Sequence, residues 1–260
     1  MNLWISCMCW KLGSNMNDFE QNGYVFLENF FSENELAAIE KVLVKFHKIW
    51  LRDHEISYEK GALNSHSLTR GDCLKEEEKI RLFEFMTQAK FEEIRSVIFP
   101  KPPVFLNTQL FFDPKDESQK NYWHRDIQYT GMSVEDQKKA IKTQNVVHFR
   151  IPLKSERGIE LIPKTHREWD LPEEFEVRNS LNGRLQSDDL KRGEIVRLNR
   201  GDLLIFSANM IHRGIYGKDR FSLDIIFCDN IPVMRTFIDK DNLPSAKILE
   251  KLINKQLFDI

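Results

Sequence analysis

The sequence predicts a mainly β fold with flanking helices, in which helices near the N-terminal end support a double-sheet barrel. Two helical patterns come first, and short apolar stretches separated by turn residues follow them. This succession indicates a double-sheet barrel with a helical support. With 260 residues, the chain can bury a substantial core in one large domain, and no internal repeat or low-complexity linker divides it.

Charge and cysteine content narrow the class of protein. Lys and Arg together number 38 and Asp and Glu number 40, which gives a net charge of −2. Because this balance attracts neither nucleic acid nor anionic lipid, we expect neither as a partner. No stretch approaches the roughly 20 apolar residues of a membrane span. Four scattered cysteines do not form a disulfide framework, so a cytoplasmic location is expected: Cys7, Cys9, Cys73 and Cys228.

Residues 1–17 are expected to be a disordered leader, and Met16 offers an alternative start. The apolar opening lacks a basic region and a small-residue cleavage site, so a signal peptide is not predicted. Cys7 and Cys9 are interpreted as unpaired thiols rather than a metal site. The folded domain is therefore expected to cover residues 18–260.

The start of this domain shows an ordered succession of local signals. Residues 18–31 predict a short helix, a glycine turn and a strand, and Ser32 with Glu35 fits a capping box. Apolar residues then recur at helical spacing, which predicts an amphipathic helix to about Trp50: Leu36, Ile39, Leu43 and Phe46.

The next segments are less regular. Residues 51–74 have no clear period, and His54 and His66 within them are interpreted as solvated loop histidines. Residues 75–99 predict a second long helix, which prolines from Pro100 onwards end. Both helices are expected to pack against one sheet.

Strand patterns dominate the remainder of the chain. The expected strands cover residues 104–112, 121–126, 146–153, 159–162, 194–198, 203–206 and 221–227. A turn is predicted at Arg157-Gly158, and a final helix is predicted from Pro244. Two polar connections, residues 130–145 and 167–193, are long enough to act as lids over a site.

One short motif points to a metal. His124 and Asp126 are two apart, and on a strand both side chains project from the same face. His212 follows an apolar strand further along the chain and offers a second imidazole. Together the three residues predict a 2-His-1-carboxylate triad, which holds iron(II) and leaves coordination positions free.

Other histidines compete for the second-imidazole role. His47 lies in the amphipathic helix and is expected at the surface. His148 lies in the middle of a strand and is expected to point into the barrel as a pocket residue. His166 is the third competitor.

These motifs resemble the phytanoyl-CoA dioxygenase-like family of iron(II)/2-oxoglutarate-dependent oxygenases. The resemblance covers roughly residues 18–229 and rests on the H-x-D, the distant histidine, the R-x-S at Arg220 and the capped-helix opening. The segment Ile159–His166 is also similar, although Lys164 stands where the family usually has glycine. This similarity implies that His166 is structural or near the pocket rather than a ligand. The resemblance implies a double-stranded β-helix (a cupin-like jelly roll) that uses iron(II), 2-oxoglutarate and dioxygen.

Arg220 is the candidate for binding the distal carboxylate of 2-oxoglutarate, because a guanidinium offers two parallel donors. Ser222 shares its face and adds a hydroxyl. The spacing of eight residues from His212 to Arg220 is short for the family, and Gly214 and Gly217 permit the tight turn this requires. Arg213 is the rival, but it follows His212 directly and is expected on the opposite face.

Weaker candidates come from strand order. Gln109 and Phe149 match cosubstrate-binding positions of the family only in this way. Trp123 and Tyr129 flank the metal motif and are candidates for shaping the substrate pocket. For Asp224 two roles stay open, which are pairing with the arginine and contact with substrate.

The implied activity is hydroxylation of an unidentified small organic or carrier-linked substrate, with release of succinate and carbon dioxide. The presence of Asp126 favours hydroxylation over halogenation. Basic residues in the two long connections suggest an acidic or carrier-linked substrate: Lys138, Lys139, Arg178, Arg184, Lys191 and Arg192. The alternatives are a catalytically inactive cupin-like metal- or ligand-binding protein and a zinc hydrolase that uses the same triad.

Overall fold

The computed structural model describes residues 18–259. The predicted leader and the Cys7-x-Cys9 pair lie outside this range. Two antiparallel sheets make up the centre of the described chain. The larger has the strand order β1-β7-β4-β9-β3-β2, with β1 at Tyr24–Leu27, β2 at Asn64–His66, β3 at Val104–Phe112, β4 at Val146–Pro152, β7 at Leu203–Ser207 and β9 at Phe221–Cys228.

The smaller sheet has the order β6-β5-β8, with β5 at Glu156–Leu161, β6 at Glu194–Leu198 and β8 at His212–Gly214. The two sheets pack face to face. Phe206 of β7 and Ile159 and Leu161 of β5 belong to the same buried cluster. This arrangement confirms the predicted double-sheet barrel.

Helices cover the outer face of the larger sheet and form the main hydrophobic core with it. The helices of this support are Glu33–Asp53, Glu76–Met86 and Ala89–Ile98, and the short helices are Glu55–Glu59, Val134–Thr143, Pro172–Arg178, Pro232–Arg235 and Ala246–Lys251. Single 3-10 turns lie at Asp126–Thr130, Lys240–Asn242 and Gln256–Phe258.

The capping box is confirmed at the start of the first long helix. The backbone N–H of Glu35 donates to Ser32 Oγ, and the Ser32 N–H donates to Glu35 Oε2 at 2.8 Å. The predicted apolar positions of this helix are all buried: Leu36, Ile39, Leu43 and Phe46.

The predicted second long helix is wrong, because residues 75–99 contain two helices that meet at Thr87 and Gln88. The break folds Phe91 back onto Phe85, with ring centroids 5.7 Å apart. Arg95 donates to the carbonyl of Met86 at 3.0 Å and so satisfies the end of the first helix. In residues 51–74, strand β2 was missed because three residues show no period.

Both polar connections contain packed helices rather than only loops. Val134–Thr143 is capped by Ser133 and buries Ala140 and Ile141. Pro172–Arg178 contributes the buried Val177 to a cluster with Trp123. A role as lids stays a prediction for both connections.

The predicted turn at Arg157-Gly158 is wrong, because both residues lie within β5. The register against β6 shifts between Glu156 and Ile159, which marks a bulge. Gly158 has φ +94°, and a Cβ there would lie 1.8 Å from the carbonyl oxygen of Val196. Glycine is therefore required by backbone approach inside the sheet.

No helix in the described part of the chain is long and apolar enough to cross a membrane.

Candidate active site

The structure brings His124, Asp126 and His212 together. One ligand atom from each lies within 4.8 Å of the other two. Asp126 Oδ1 is 3.5 Å from His124 Nε2 and 3.6 Å from His212 Nε2. Two imidazoles and one carboxylate in this arrangement are the donor set of a facial triad for iron(II).

The local structure that produces this convergence differs from the prediction. His124 and His212 form an isolated antiparallel bridge, in which each N–H donates to the other residue's carbonyl at 3.0 and 2.9 Å. Asp126 does not continue a strand but begins a 3-10 turn, and its N–H donates to Ala208 at 3.1 Å. The bridge sets the imidazoles side by side, and the turn brings the carboxylate to them.

Backbone carbonyls orient both imidazoles. His124 Nδ1 lies 3.2 Å from the carbonyl oxygen of Tyr122, and His212 Nδ1 lies 3.0 Å from that of Met210. A carbonyl only accepts, so each Nδ1 carries the proton and each Nε2 keeps its lone pair for a metal. Burial lowers the pKa of His212 to about 3, so this imidazole stays neutral as a ligand must.

Asp126 is held as a carboxylate. Burial by itself raises its pKa, but the neighbouring imidazoles of His124 and His148 outweigh burial and lower the pKa well below the usual value. His148 Nε2 is 2.9 Å from Asp126 Oδ2, and His148 Nδ1 is 2.8 Å from Asp224 Oδ2. The second oxygen of Asp126 is therefore fixed, while Oδ1 faces the two triad histidines.

A charged network continues behind His148. Arg150 donates to Asp224 through Nε at 2.6 Å and through Nη2 at 2.9 Å. Burial alone lowers the pKa of His148, but its hydrogen bonds to Asp126 and Asp224 raise it to about 9. Asp224 therefore pairs with Arg150 and His148 and not with Arg220, and contact with substrate stays a prediction. Sequence reasoning missed Arg150, although two polar residues at alternate positions of an apolar strand were a signal.

The triad faces a cavity of about 550 Å³ that Arg220 also lines. Arg220 is buried, its Nε has no hydrogen-bond partner among the described residues, and Glu156 Oε2 lies 3.7 Å from it. Ser222 Oγ is also buried without a partner in this part of the chain, but Ser222 is not among the residues that line the cavity. Arg220 therefore has one buried ion-pair partner, Glu156, and its guanidinium is the cation on the cavity wall that fits a cosubstrate carboxylate.

Gly214 and Gly217, which were expected to permit the tight turn before Arg220, accommodate this residue in different ways. Gly217 has φ +94° and makes the turn. A Cβ on Gly214 would lie 2.6 Å from Arg220 Nη2, so Gly214 leaves space for the guanidinium.

The structure distributes the weaker candidates differently. Gln109 lines the cavity, and its Nε2 is 3.0 Å from Nδ1 of His66, which also lines it. His66 was interpreted as a loop histidine, but it lies at the end of β2. Phe149 is not brought to the site, because it packs on the outer face of the sheet against Phe91 and Phe227.

Of the two flanking aromatics, only Tyr129 lines the cavity. Trp123 turns away from it, donates to the Asp188 carbonyl at 2.9 Å and lies beneath Arg213, whose guanidinium carbon is 4.4 Å from the ring centre. Arg213 itself pairs with Glu160 at 2.6 Å and so lies away from the triad.

Of the three competing histidines, His47 and His166 lie outside the site. His47 is half-buried rather than at the surface, because it packs against Phe112 and Phe221 with ring centroids 4.6 and 5.5 Å away. His166 Nε2 lies 3.2 Å from the Glu20 carbonyl oxygen, beside the first strand. His148 points into the barrel, as predicted, and lines the cavity.

The sequence model of the family described as Phytanoyl-CoA dioxygenase (PhyH) matches residues 19–215. The chain belongs to this family. Membership identifies it as an enzyme of the iron(II)/2-oxoglutarate-dependent oxygenases, and the triad supplies the donor set that iron requires. Arg220 and Ser222 lie beyond the matched range, so their roles depend on the geometry of the cavity.

Solved structures support the fold. AviO1 from Streptomyces viridochromogenes Tue57 is similar at a TM-score of 0.58 and 14% identity, over 84% of this chain and 95% of that one. EctD from S. alaskensis with 2-oxoglutarate and 5-hydroxyectoine is similar at 0.56 and 13%, over 94% and 82%. The carbocyclase SnoK is similar at 0.55 and 13%, over 83% of each chain. These similarities confirm the double-stranded β-helix, or cupin-like jelly roll. No curated protein sequence matches the chain significantly.

Proposed function

We propose that the protein is an iron(II)/2-oxoglutarate-dependent dioxygenase that hydroxylates a small organic substrate and releases succinate and carbon dioxide. The observation that carries this proposal is the convergence of His124, Asp126 and His212 in one cavity with Arg220. Because Asp126 occupies the carboxylate position, hydroxylation is favoured over halogenation. The cytoplasmic location expected from the cysteine content stays a prediction.

The triad residues would hold the metal, and the chemistry would belong to the bound groups. When bound, iron(II), 2-oxoglutarate and dioxygen supply the oxidising power that hydroxylates carbon. His124 and His212 present Nε2 because their Nδ1 atoms face carbonyls. His148 acts as a positioning residue, since it holds the second oxygen of Asp126 and is itself held by Asp224.

Arg220 would bind the distal carboxylate of the cosubstrate. It is a buried cation on the cavity wall, and a guanidinium matches a carboxylate with two parallel donors. Ser222 would add its unpaired hydroxyl. Gln109, which lines the same cavity, would orient the cosubstrate from the neighbouring strand.

Anaerobic titration with iron(II) and 2-oxoglutarate tests these assignments through the visible absorption band of the chelate. We expect the band with the unmodified protein and its loss in His212→Ala. Arg220→Ala should weaken 2-oxoglutarate binding by about ten- to a hundredfold, because one charge-assisted interaction is lost. The matched controls, His54→Ala and Arg184→Ala, alter side chains outside the cavity and should keep the band unchanged.

Succinate release under air separates this function from the alternatives. A catalytically inactive binding protein would give the band but no succinate with any substrate. A zinc hydrolase would act without oxygen and would leave Arg220 without a role. Failure of the unmodified protein to form the band would contradict the proposal itself.

A further inference from the structure

A second cavity, of about 410 Å³, lies on the other side of Asp126 from the arginines. It shares four lining residues with the first cavity, and these lie around the triad carboxylate: His66, Gln109, Asp126 and His148. The two cavities therefore meet beside the metal position. A volume of this size is within the range of about 300–1,000 Å³ typical of small-molecule pockets.

The lining of this second cavity is largely apolar. Its apolar side chains are Leu106, Ile127, Met132, Val146, Ala208, Ile226, Met234 and Phe237. Uncharged polar side chains lie between them: Ser67, Asn107, Thr130, Gln144, Asn209 and Asn242. Among the described residues, no lysine or arginine lines it. Its one acid besides Asp126 is Asp239, which pairs with Arg70 at 3.0 Å.

The contrast between the cavities follows the inner face of the larger sheet. Along β4 the inward residues change from Arg150 through His148 to Val146, and along β9 they change from Asp224 to Ile226. One end of this face is charged and contains the arginines. The other end offers apolar surface, and Asp126 lies between them.

The basic residues of the two long connections, residues 130–145 and 167–193, are not placed to bind an acidic substrate. Five of the six are paired with nearby acids: Lys138 with Glu135, Lys139 with Asp136, Arg178 with Asp170, Arg184 with Glu173 and Arg192 with Glu174. None of the six lines either cavity. The sequence argument for an acidic or carrier-linked substrate therefore has no support at the site.

We propose that the second cavity binds the substrate to be oxidised, and that this substrate is an uncharged, largely apolar small molecule. This inference rests on the proposed function for the meaning of "substrate". An anion placed there would lose its hydration and would meet no lysine or arginine, while both ring nitrogens of His148 are already bonded to carboxylates. An apolar body gains from leaving water, and Met132 and Met234 adapt to its shape.

A matched pair of fluorescent probes tests the chemical class. N-phenyl-1-naphthylamine is uncharged, and 8-anilinonaphthalene-1-sulfonate is the same skeleton with one sulfonate. Both are titrated anaerobically into the full chain loaded with iron(II) and 2-oxoglutarate, so that the cosubstrate occupies the arginine side. We expect saturable binding of the uncharged probe and at least about tenfold weaker binding of the sulfonate.

Variants assign the binding to the second cavity. Met132→Lys places a cation in the wall at a half-buried position, and Ile226→Phe fills space without adding charge. Each should weaken binding of the uncharged probe by at least about tenfold while the chelate band remains. Val134→Lys adds the same charge two positions away, outside the lining, and should change neither reading.

Equal binding of the two probes, or binding that neither cavity variant weakens, would overturn the inference. Absence of the chelate band in the unmodified protein would instead remove the proposed function. In that case the effect of Met132→Lys and Ile226→Phe on binding of the uncharged probe still decides whether the second cavity accepts an apolar molecule.

Discussion

The two faces of the six-stranded sheet use the same strands for opposite purposes. In β4, Val147, Phe149 and Ile151 point outward into the helix-covered core, while His148 and Arg150 point inward. The outer face is a continuous apolar layer, and the inner face is a hydrogen-bonded charge network that ends at Asp126. Neighbouring residues of one strand therefore serve different purposes, since one contributes to the hydrophobic core and the next to the metal site.

Two histidines show what the difference between these faces does to an imidazole. His47 packs against the outer face, and burial lowers its pKa to about 4. His148 lies on the inner face, where burial also lowers the pKa but two carboxylates raise it to about 9. Burial alone therefore does not decide the protonation state of an imidazole. The hydrogen-bond partners available on each face of the sheet decide it.

The largest expected effect comes from Phe149→Ala on the outer face. The ring is fully buried between Phe91 and Phe227, so its removal should lower the free energy of unfolding by about 3–5 kcal/mol. Iron(II) affinity of the folded protein should stay unchanged, because the ring does not line the cavity. Urea unfolding and iron titration measure the two quantities.

Phe149→Leu is the matched control and should cost less than about 1.5 kcal/mol, since most of the apolar volume is kept. A marked loss of iron affinity in folded Phe149→Ala would show that the two faces are not separable.

Substitution of His148, one position earlier in β4, is expected to lower iron(II) affinity. In His148→Ala, Asp126 loses the partner of its second oxygen, and iron(II) affinity should fall by about ten- to a hundredfold. Anaerobic iron titration measures the fall. Asp224→Asn should produce a smaller fall in the same direction, because it acts through His148. Unchanged iron affinity in both variants would contradict the positioning role.

The sequence was sufficient for the barrel and for the members of the triad. Strand β3 matches its predicted residues 104–112, because alternation and a terminal Asp-Pro turn are both local signals. The members of the triad could be named from a short motif and from a histidine that follows an apolar strand. Neither signal required the local backbone conformation to be predicted correctly. The H-x-D strand itself was wrong, since the bridge to His212 depends on a distant segment.

The network behind the triad was beyond sequence reasoning for a related cause. Alternation assigns His148 and Arg150 to one face, but their partner follows from the β4–β9 register, in which Arg150 lies opposite Asp224. Phe149 was assigned by strand order alone and fell on the wrong face. At Lys164 the structure instead explains a departure seen in the sequence. Its φ of +70° lies in the left-handed region, which favours the glycine that the family usually has there.

The smallest effect is expected from His47 and appears only in acid. Its pKa is about 4 in the folded protein against an ordinary value of 6.5, so below pH 6.5 the unfolded chain binds a proton that the folded chain does not. Stability therefore falls as pH drops from about 6.5 towards 4, by at most about 2.5 kcal/mol at pH 4.5, and by less because solvent screens this half-buried imidazole. His47→Leu should remove this part of the acid dependence and leave stability at pH 8 equal or higher, because His47 Nδ1 is buried without a partner in the described chain. Urea unfolding across this pH range measures both slopes. If the free energy of unfolding changes with pH in the same way for His47→Leu and the unmodified protein, the outer face does not hold the His47 imidazole neutral. The contrast between His47 and His148 would then be wrong.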